Sequence, residues 1–302
     1  MGHGYDDRSM VLHSYRNTAV KIAHACISHR AHFAAMVFTM DHIAVQEAVK
    51  KKQRIQVNLD KLAFTDLTQV PVPQTVRSKL SSPEAIFIGI DVETHAFVKG
   101  NIDFHDGDFG FQRKVDPANF NNLKVVQVAW AIAEGLVSEP VIKSRFVKPE
   151  GFVITPEATS AHKITQKYAM IHGLPLGVVL REMFADVKDA HDKGGRVCAH
   201  QLEFDAGMLA AEMSSLGFTD MLSEWKSIVR SGICTMDPDV ASWVRRIAGG
   251  DYIPKYVPIK LADALKIMAP KQIDLIKDHH NAAADCHMHL ILARALCQHA
   301  SA

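Results

Sequence analysis

At 302 residues, with 48% hydrophobic and 22% charged side chains, the chain has the composition of a globular protein with a sizeable core, which excludes global disorder. A net charge of +1 gives the whole molecule no strong attraction to phosphate, so any affinity for nucleic acid has to come from a local patch. Five cysteines, odd in number and never spaced as CxxC, argue against a disulfide framework or a cysteine-rich zinc module and for a reducing, intracellular setting, cytoplasmic or nuclear.

Residues 1–80 carry 11 Lys and Arg against 6 Asp and Glu, a balance of +5, which leaves the remainder at −4. That mildly acidic remainder suits a site that collects cations. Residues 8–40 contain Arg8, Arg16, Lys21 and Arg30 but no acid, and read as a basic amphipathic helix in an N-terminal extension. Mitochondrial or other organellar import is the alternative, against which Asp6 and Asp7 speak. No apolar run approaches the roughly 20 residues that cross a bilayer, so no membrane-embedded part is expected. Pro71, Pro73, Ser81, Ser82 and Pro83 mark a linker, which divides the chain into an extension over 1–82 and a domain over 83–302. The extension suits a protein-docking arm, a transit segment or a substrate-binding arm, and the sequence does not choose among them. It gives no oligomeric state either.

After the linker, "AIFIGIDV" is short, β-branched and apolar at alternating positions on both sides, the pattern of a central strand. "LKVVQVAWAIA" (123–133) and "PVIKSRFVKP" (140–149) follow as strands without an intervening helix, which predicts an antiparallel meander. Next come a helix over "PLGVVLREMFADVKDAH", a short strand at "RVCAH", and a helix over "FDAGMLAAEMSSLG" ended by Gly217. Further helices are expected at "DPDVASWVRR", with Asp237 as N-cap and Pro238 in the first turn, at "LADALKIM" and at "NAAADCHMHLILARAL". The whole is a mixed α/β domain.

Three stretches along this chain carry acids in places that need explaining. In "IFIGIDVETHAFV" (86–98), Asp91 and Glu93 are two residues apart on a strand and so present two carboxylates on one face at its carboxyl end. Either the strand has emerged into solvent there, or a divalent cation that prefers oxygen ligands, Mg²⁺ or Mn²⁺, balances the pair. In "VCAHQLEFDAGML" (197–209), Asp205 falls in the first turn of a helix, where the helix dipole favours an acid in any case. In "DHHNAAADCHMHLILARAL" (278–296), His280 lies on the loop entering a helix and Asp285 faces inward from its second turn, with three alanines between them that permit a close backbone approach. His279, His287 and His289 are poorly spaced for a transition-metal site and are expected at the surface or the edge of the core.

Together these stretches, in this order and at these separations, resemble the three motifs of the DEDDh family, the ribonuclease-H-like 3′→5′ exonucleases that include bacterial proofreading subunits and ribonuclease-T-like RNA-trimming enzymes. The resemblance covers about residues 84–299 and extends to "VQVAWAIA", "PEATSAHKIT", "ICTMD" and "IKLADAL". It implies a mixed sheet, an antiparallel meander plus parallel strands, flanked by helices. It implies that Asp91, Glu93, Asp205 and Asp285 bind two Mg²⁺ or Mn²⁺ ions, that His280 is the general base, and that Thr94 and His162 lie near the terminal nucleotide. The substrate so implied is the 3′ end of a single-stranded nucleic acid, RNA being favoured over DNA because no replication module is fused. Two positions depart from the family pattern. Lys163 stands where the family has glycine, and Gln201 where it often has asparagine. A non-catalytic nucleic-acid-binding protein and a polymerase-associated proofreading subunit are the rival functions on the same fold.

Between Glu93 and the second strand lies a long connection whose Phe104, Phe109, Phe111, Arg113 and Lys114 suit either a surface hairpin or a stacking platform for single strands. Its acids Asp103, Asp106 and Asp108 do not have the spacing of a calcium loop.

Overall fold

The computed structural model describes residues 70–80, 86–97, 120, 122–249, 259–278 and 280–301. The chain divides into Met1–Asn58 and Leu59–Ala302, and every described residue belongs to the second part. The expected basic helix over 8–40 and the aromatic and charged residues of the 98–119 connection lie outside the described residues.

Five strands form one sheet in the order β3-β2-β1-β4-β5: β1 Ile86–Thr94, β2 Val125–Glu134, β3 Val141–Phe146, β4 Arg196–Ala199 and β5 Ile233–Cys234. β1, β2 and β3 pair antiparallel, whereas β1–β4 and β4–β5 pair parallel. The expected meander, the central place of "IFIGIDV" and the mixed α/β class are all present. The parallel pairs need long crossovers, and helices supply them. Between β3 and β4 these are α2 (Pro156–His162), α3 (Gln166–His172) and α4 (Leu176–Asp192); between β4 and β5 they are α5 (Leu202–Ser215) and α6 (Thr219–Val229). α7 (Pro238–Ile247), α8 (Leu261–Met268), a 3₁₀ segment (Pro270–Asp278) and α9 (Ala282–Ser301) complete the chain.

The local signals explain most of these boundaries. Asp237 caps α7 through the amides of Asp239 and Val240, with Pro238 at its start. Gly217, at φ +67°, follows the end of α5. α2 and α3 have no sequence periodicity to announce them, being seven residues each, but the hydroxyls of Thr155 and Thr165 cap them. Ahead of the boundary expected at 83, residues 74–80 form a helix, α1, rather than linker. Its Val76 and Leu80 are buried in the main core, and Lys79 bridges Asp237 and Asp239 at 2.9 and 2.8 Å.

The two faces of the sheet differ in side-chain size. Ile88, Ile90 and Val92 of β1, with Val128 and Trp130 of β2, face α4, α5 and α6 and form one core. Gly89, Ala129, Ala131, Ala133 and Cys198 face α9 and form the other with Phe87. On this second face a Cβ at Gly89 would stand 2.8 Å from the carbonyl oxygen of Cys286, so glycine is what lets α9 lie so close to β1. None of the helices among the described residues is long and apolar enough to cross a membrane.

Candidate metal centre

Strand alternation puts Asp91 and Glu93 on the α9 face, two and four residues beyond Gly89. β1 outruns its parallel partner, since its pairing with β4 ends at Gly89–Cys198, and its register against β2 slips between Glu93 and Thr94. Such an irregularity re-aims side chains at a strand end. α9 then delivers Asp285 beside them, because the close contact at Gly89–Cys286 fixes the helix within one residue of that acid.

Ligand oxygens of Asp91, Glu93 and Asp285 lie within 4.8 Å of one another, a triplet of carboxylates. Asp205 borders the triplet from the first turn of α5, and its Oδ1 accepts the Val92 amide at 3.2 Å. Asp91, Asp205 and Asp285 are 9%, 5% and 6% exposed. The strand has therefore not emerged into solvent at residue 91. Burial, and then the charges of Asp205, Asp285 and Glu93, push the Asp91 carboxyl well above the usual carboxylate range. Burial does the same for Asp205, reinforced by Glu93 and Asp285 and opposed by the bond from Val92. The negative charges of these acids oppose one another.

A divalent cation fits this donor set. Every donor is a carboxylate oxygen, which suits Mg²⁺ or Mn²⁺ and not a thiolate-seeking ion. The neighbouring Cys286 offers no thiolate, because burial and the Asp91 charge drive its thiol far upward.

His280 lies on the loop before α9, as expected, and is exposed. Its backbone is left-handed at φ +70°, and its N–H donates to Asp285 Oδ2 at 3.0 Å. α9 starts at Ala282, later than the spacing suggested, so Asp285 belongs to its first turn and not its second. Asn281 sets that start, its Oδ1 accepting the Ala283 amide at 3.1 Å.

His162 and Thr94 are brought together beside this loop. His162 Nδ1 accepts the Ile164 amide at 3.0 Å, so the proton sits on Nε2, which donates to Thr94 O at 3.3 Å. Burial, chiefly, lowers the His162 pKa, and the nearby His280 lowers it further. The Thr94 hydroxyl donates to Ala96 O at 2.9 Å. Lys163 adopts φ +63° at the end of α2, which explains why glycine suits this position. Gln201 holds the N-cap position of α5 without a capping hydrogen bond from its side chain.

Of two buried polar residues in this region, one escaped the sequence analysis and the other was expected elsewhere. Gln127 faces Glu93 across β1–β2, and its Oε1 accepts the Ala282 amide at the start of α9 at 3.3 Å while its amide donates to Ser144 at 2.9 Å. It is the polar member of an otherwise small, apolar row with Ala129 and Ala131, which was its signal. His289, expected at the surface or core edge, is 3% exposed, with Nδ1 2.9 Å from Ile90 O. It follows Asp285 by four residues, and that spacing alone puts both on one helix face.

Neither a family model nor a curated protein matches the sequence. Among solved structures, the chain is similar to E. coli exonuclease I in a zinc-bound complex with single-stranded DNA (17% identity, TM-score 0.47, covering 70% of this chain and 40% of that one). It is similar to the same protein with a dT13 oligonucleotide (16%, 0.46, 70% and 40%) and to exonuclease I from Methylocaldum szegediense (18%, 0.47, 71% and 40%). The chain thus spans well under half the length of these proteins, and what its site can do follows from its own atoms.

Proposed function

We propose that the protein is a metal-dependent 3′→5′ exonuclease that hydrolyses the terminal phosphodiester of single-stranded nucleic acid and releases 5′-monophosphates. The observation that carries this is the set of buried, mutually repelling carboxylates at the end of a central strand, with a histidine tethered to one of them. Asp91, Glu93 and Asp285, with Asp205 at their side, hold two Mg²⁺ or Mn²⁺ ions. Bound there, the ions supply Lewis-acid polarisation of water and of the phosphate. His280 takes a proton from the attacking water on its imidazole nitrogen, a task that suits a group with an ordinary pKa of about 6.5. Its backbone N–H, bonded to Asp285 Oδ2, ties this loop residue to one of the carboxylates. Thr94 and His162 line the place of the terminal nucleotide.

The test uses 5′-labelled single-stranded RNA and DNA of one sequence, incubated with the full-length protein in Mg²⁺, in Mn²⁺ or in EDTA, with Asp91→Ala in parallel. The expected result is a ladder that shortens from the 3′ end, needs metal and is absent in the variant. The faster of the two strands names the sugar, and RNA is the expected one. A ladder that survives in Asp91→Ala or in EDTA overturns the mechanism, and no ladder on either strand overturns the autonomous activity.

A further inference from the structure

Beyond its last β4 partner, Gly89, β1 continues with a strand on one side only, and here Asp91 must be held in place. His289 reaches this stretch from α9. A carbonyl can only accept, so His289 Nδ1 is the donor in its 2.9 Å bond to Ile90 O, the carbonyl next to Asp91. That bond fixes the ring's orientation, and Nε2 then faces Asp91 Oδ1 at 3.7 Å. The far side of the ring is backed by His200, with centroids 6.4 Å apart and planes inclined by 27°. His200 is itself clamped, with Nε2 2.7 Å from Ile259 O and Nδ1 2.9 Å from Thr235 Oγ1. A row, Thr235–His200–His289–Asp91, thus runs from the end of β5 to the carboxylates.

We propose that His289 is a positioning residue of the metal centre: its bond to the Ile90 carbonyl sets the strand end, and its ring blocks the Asp91 carboxylate from turning away from Glu93 and Asp285. This rests on the metal-centre function proposed above. Groups that orient a ligand without touching the ion alter metal affinity or activity about 10- to 100-fold.

The test is direct Mn²⁺ titration of the full-length protein without nucleic acid, read by calorimetry and by the loss of free-Mn²⁺ paramagnetic signal, with thermal melts alongside. Asparagine places its amide N–H near the position of Nδ1, whereas leucine removes the donor and keeps the bulk. His289→Leu is expected to bind Mn²⁺ about 10- to 100-fold more weakly and His289→Asn to recover most of that loss. Should the leucine variant not fold, His289→Gln, whose amide matches Nε2 rather than Nδ1, takes its place with the same expected loss. Wild-type affinity in the leucine or glutamine variant overturns the inference, as does equal weakness of the asparagine variant, which would mark a packing role only. A different result sinks the metal centre itself, namely wild type and Asp91→Ala binding Mn²⁺ alike.

Discussion

The two faces of the central sheet solve opposite problems. Toward α4, α5 and α6, Ile88, Ile90, Val92 and Trp130 fill space with large side chains, and the helices stand off accordingly. Toward α9, the row of Gly89, Ala129 and Ala131 leaves so little room that helix and strand backbones touch. Asp91, Glu93 and Asp285 sit on the second face. A ligand cluster drawn from two elements needs their backbones at a fixed, short separation, and small residues enforce it better than large ones, which repack.

The difference can be probed from both sides. Asp91→Asn is expected to lower turnover about a thousandfold, the scale of losing one preorganised electrostatic group, in a single-turnover assay. The same change should stabilise the metal-free protein by about 1 kcal/mol in chemical denaturation, because it removes a buried charge from a repelling set. A variant that loses activity and stability together would mean that Asp91 is structural. His280→Ala is expected to slow the reaction about a hundredfold while Mn²⁺ binding persists.

Gly89→Ala should cost about 1–3 kcal/mol in chemical denaturation and weaken Mn²⁺ binding, since the added Cβ meets backbone and not a flexible side-chain tip. Ile90→Val, one residue along on the opposite face, should cost about 0.5–1.5 kcal/mol and leave Mn²⁺ binding alone. Equal effects on binding would erase the distinction between the faces. The smallest effect concerns pH. Asp91 and Asp205 have folded-state values raised above their unfolded ones, so the folded protein holds more protons as pH leaves the ordinary carboxylate range. Metal-free stability therefore falls as pH rises through that window, and the rise in melting point on adding Mg²⁺ should be greater at pH 8 than at pH 5.

Much of the sheet was legible because its signals are local. The alternation of "IFIGIDV" and "VVQVAWAIA" gave two strands and their faces, and Asp237-Pro238 gave a helix start. The pairing of Asp91 with Glu93 follows from the period of a strand, and that of His280 with Asp285 from a loop-to-helix passage. What stayed hidden depended on tertiary contact. Gln127 and His289 become part of the site only once β2 lies beside β1 and α9 lies across it. The packing of α1 could not be inferred from a Pro- and Ser-flanked stretch, because Lys79 finds Asp237, 158 residues on, and Val76 and Leu80 join a core built with residues of α7 and α9.

The left-handed backbone at His280 has an evolutionary consequence. Among the described residues, His280 and Lys163 alone are non-glycine residues at positive φ, and each keeps its side chain against a conformational cost of about 1 kcal/mol that glycine would not meet. Drift favours glycine at such a place once nothing requires the imidazole. Under the proposed function, a glycine at 280 would relieve that cost and remove the general base in one step.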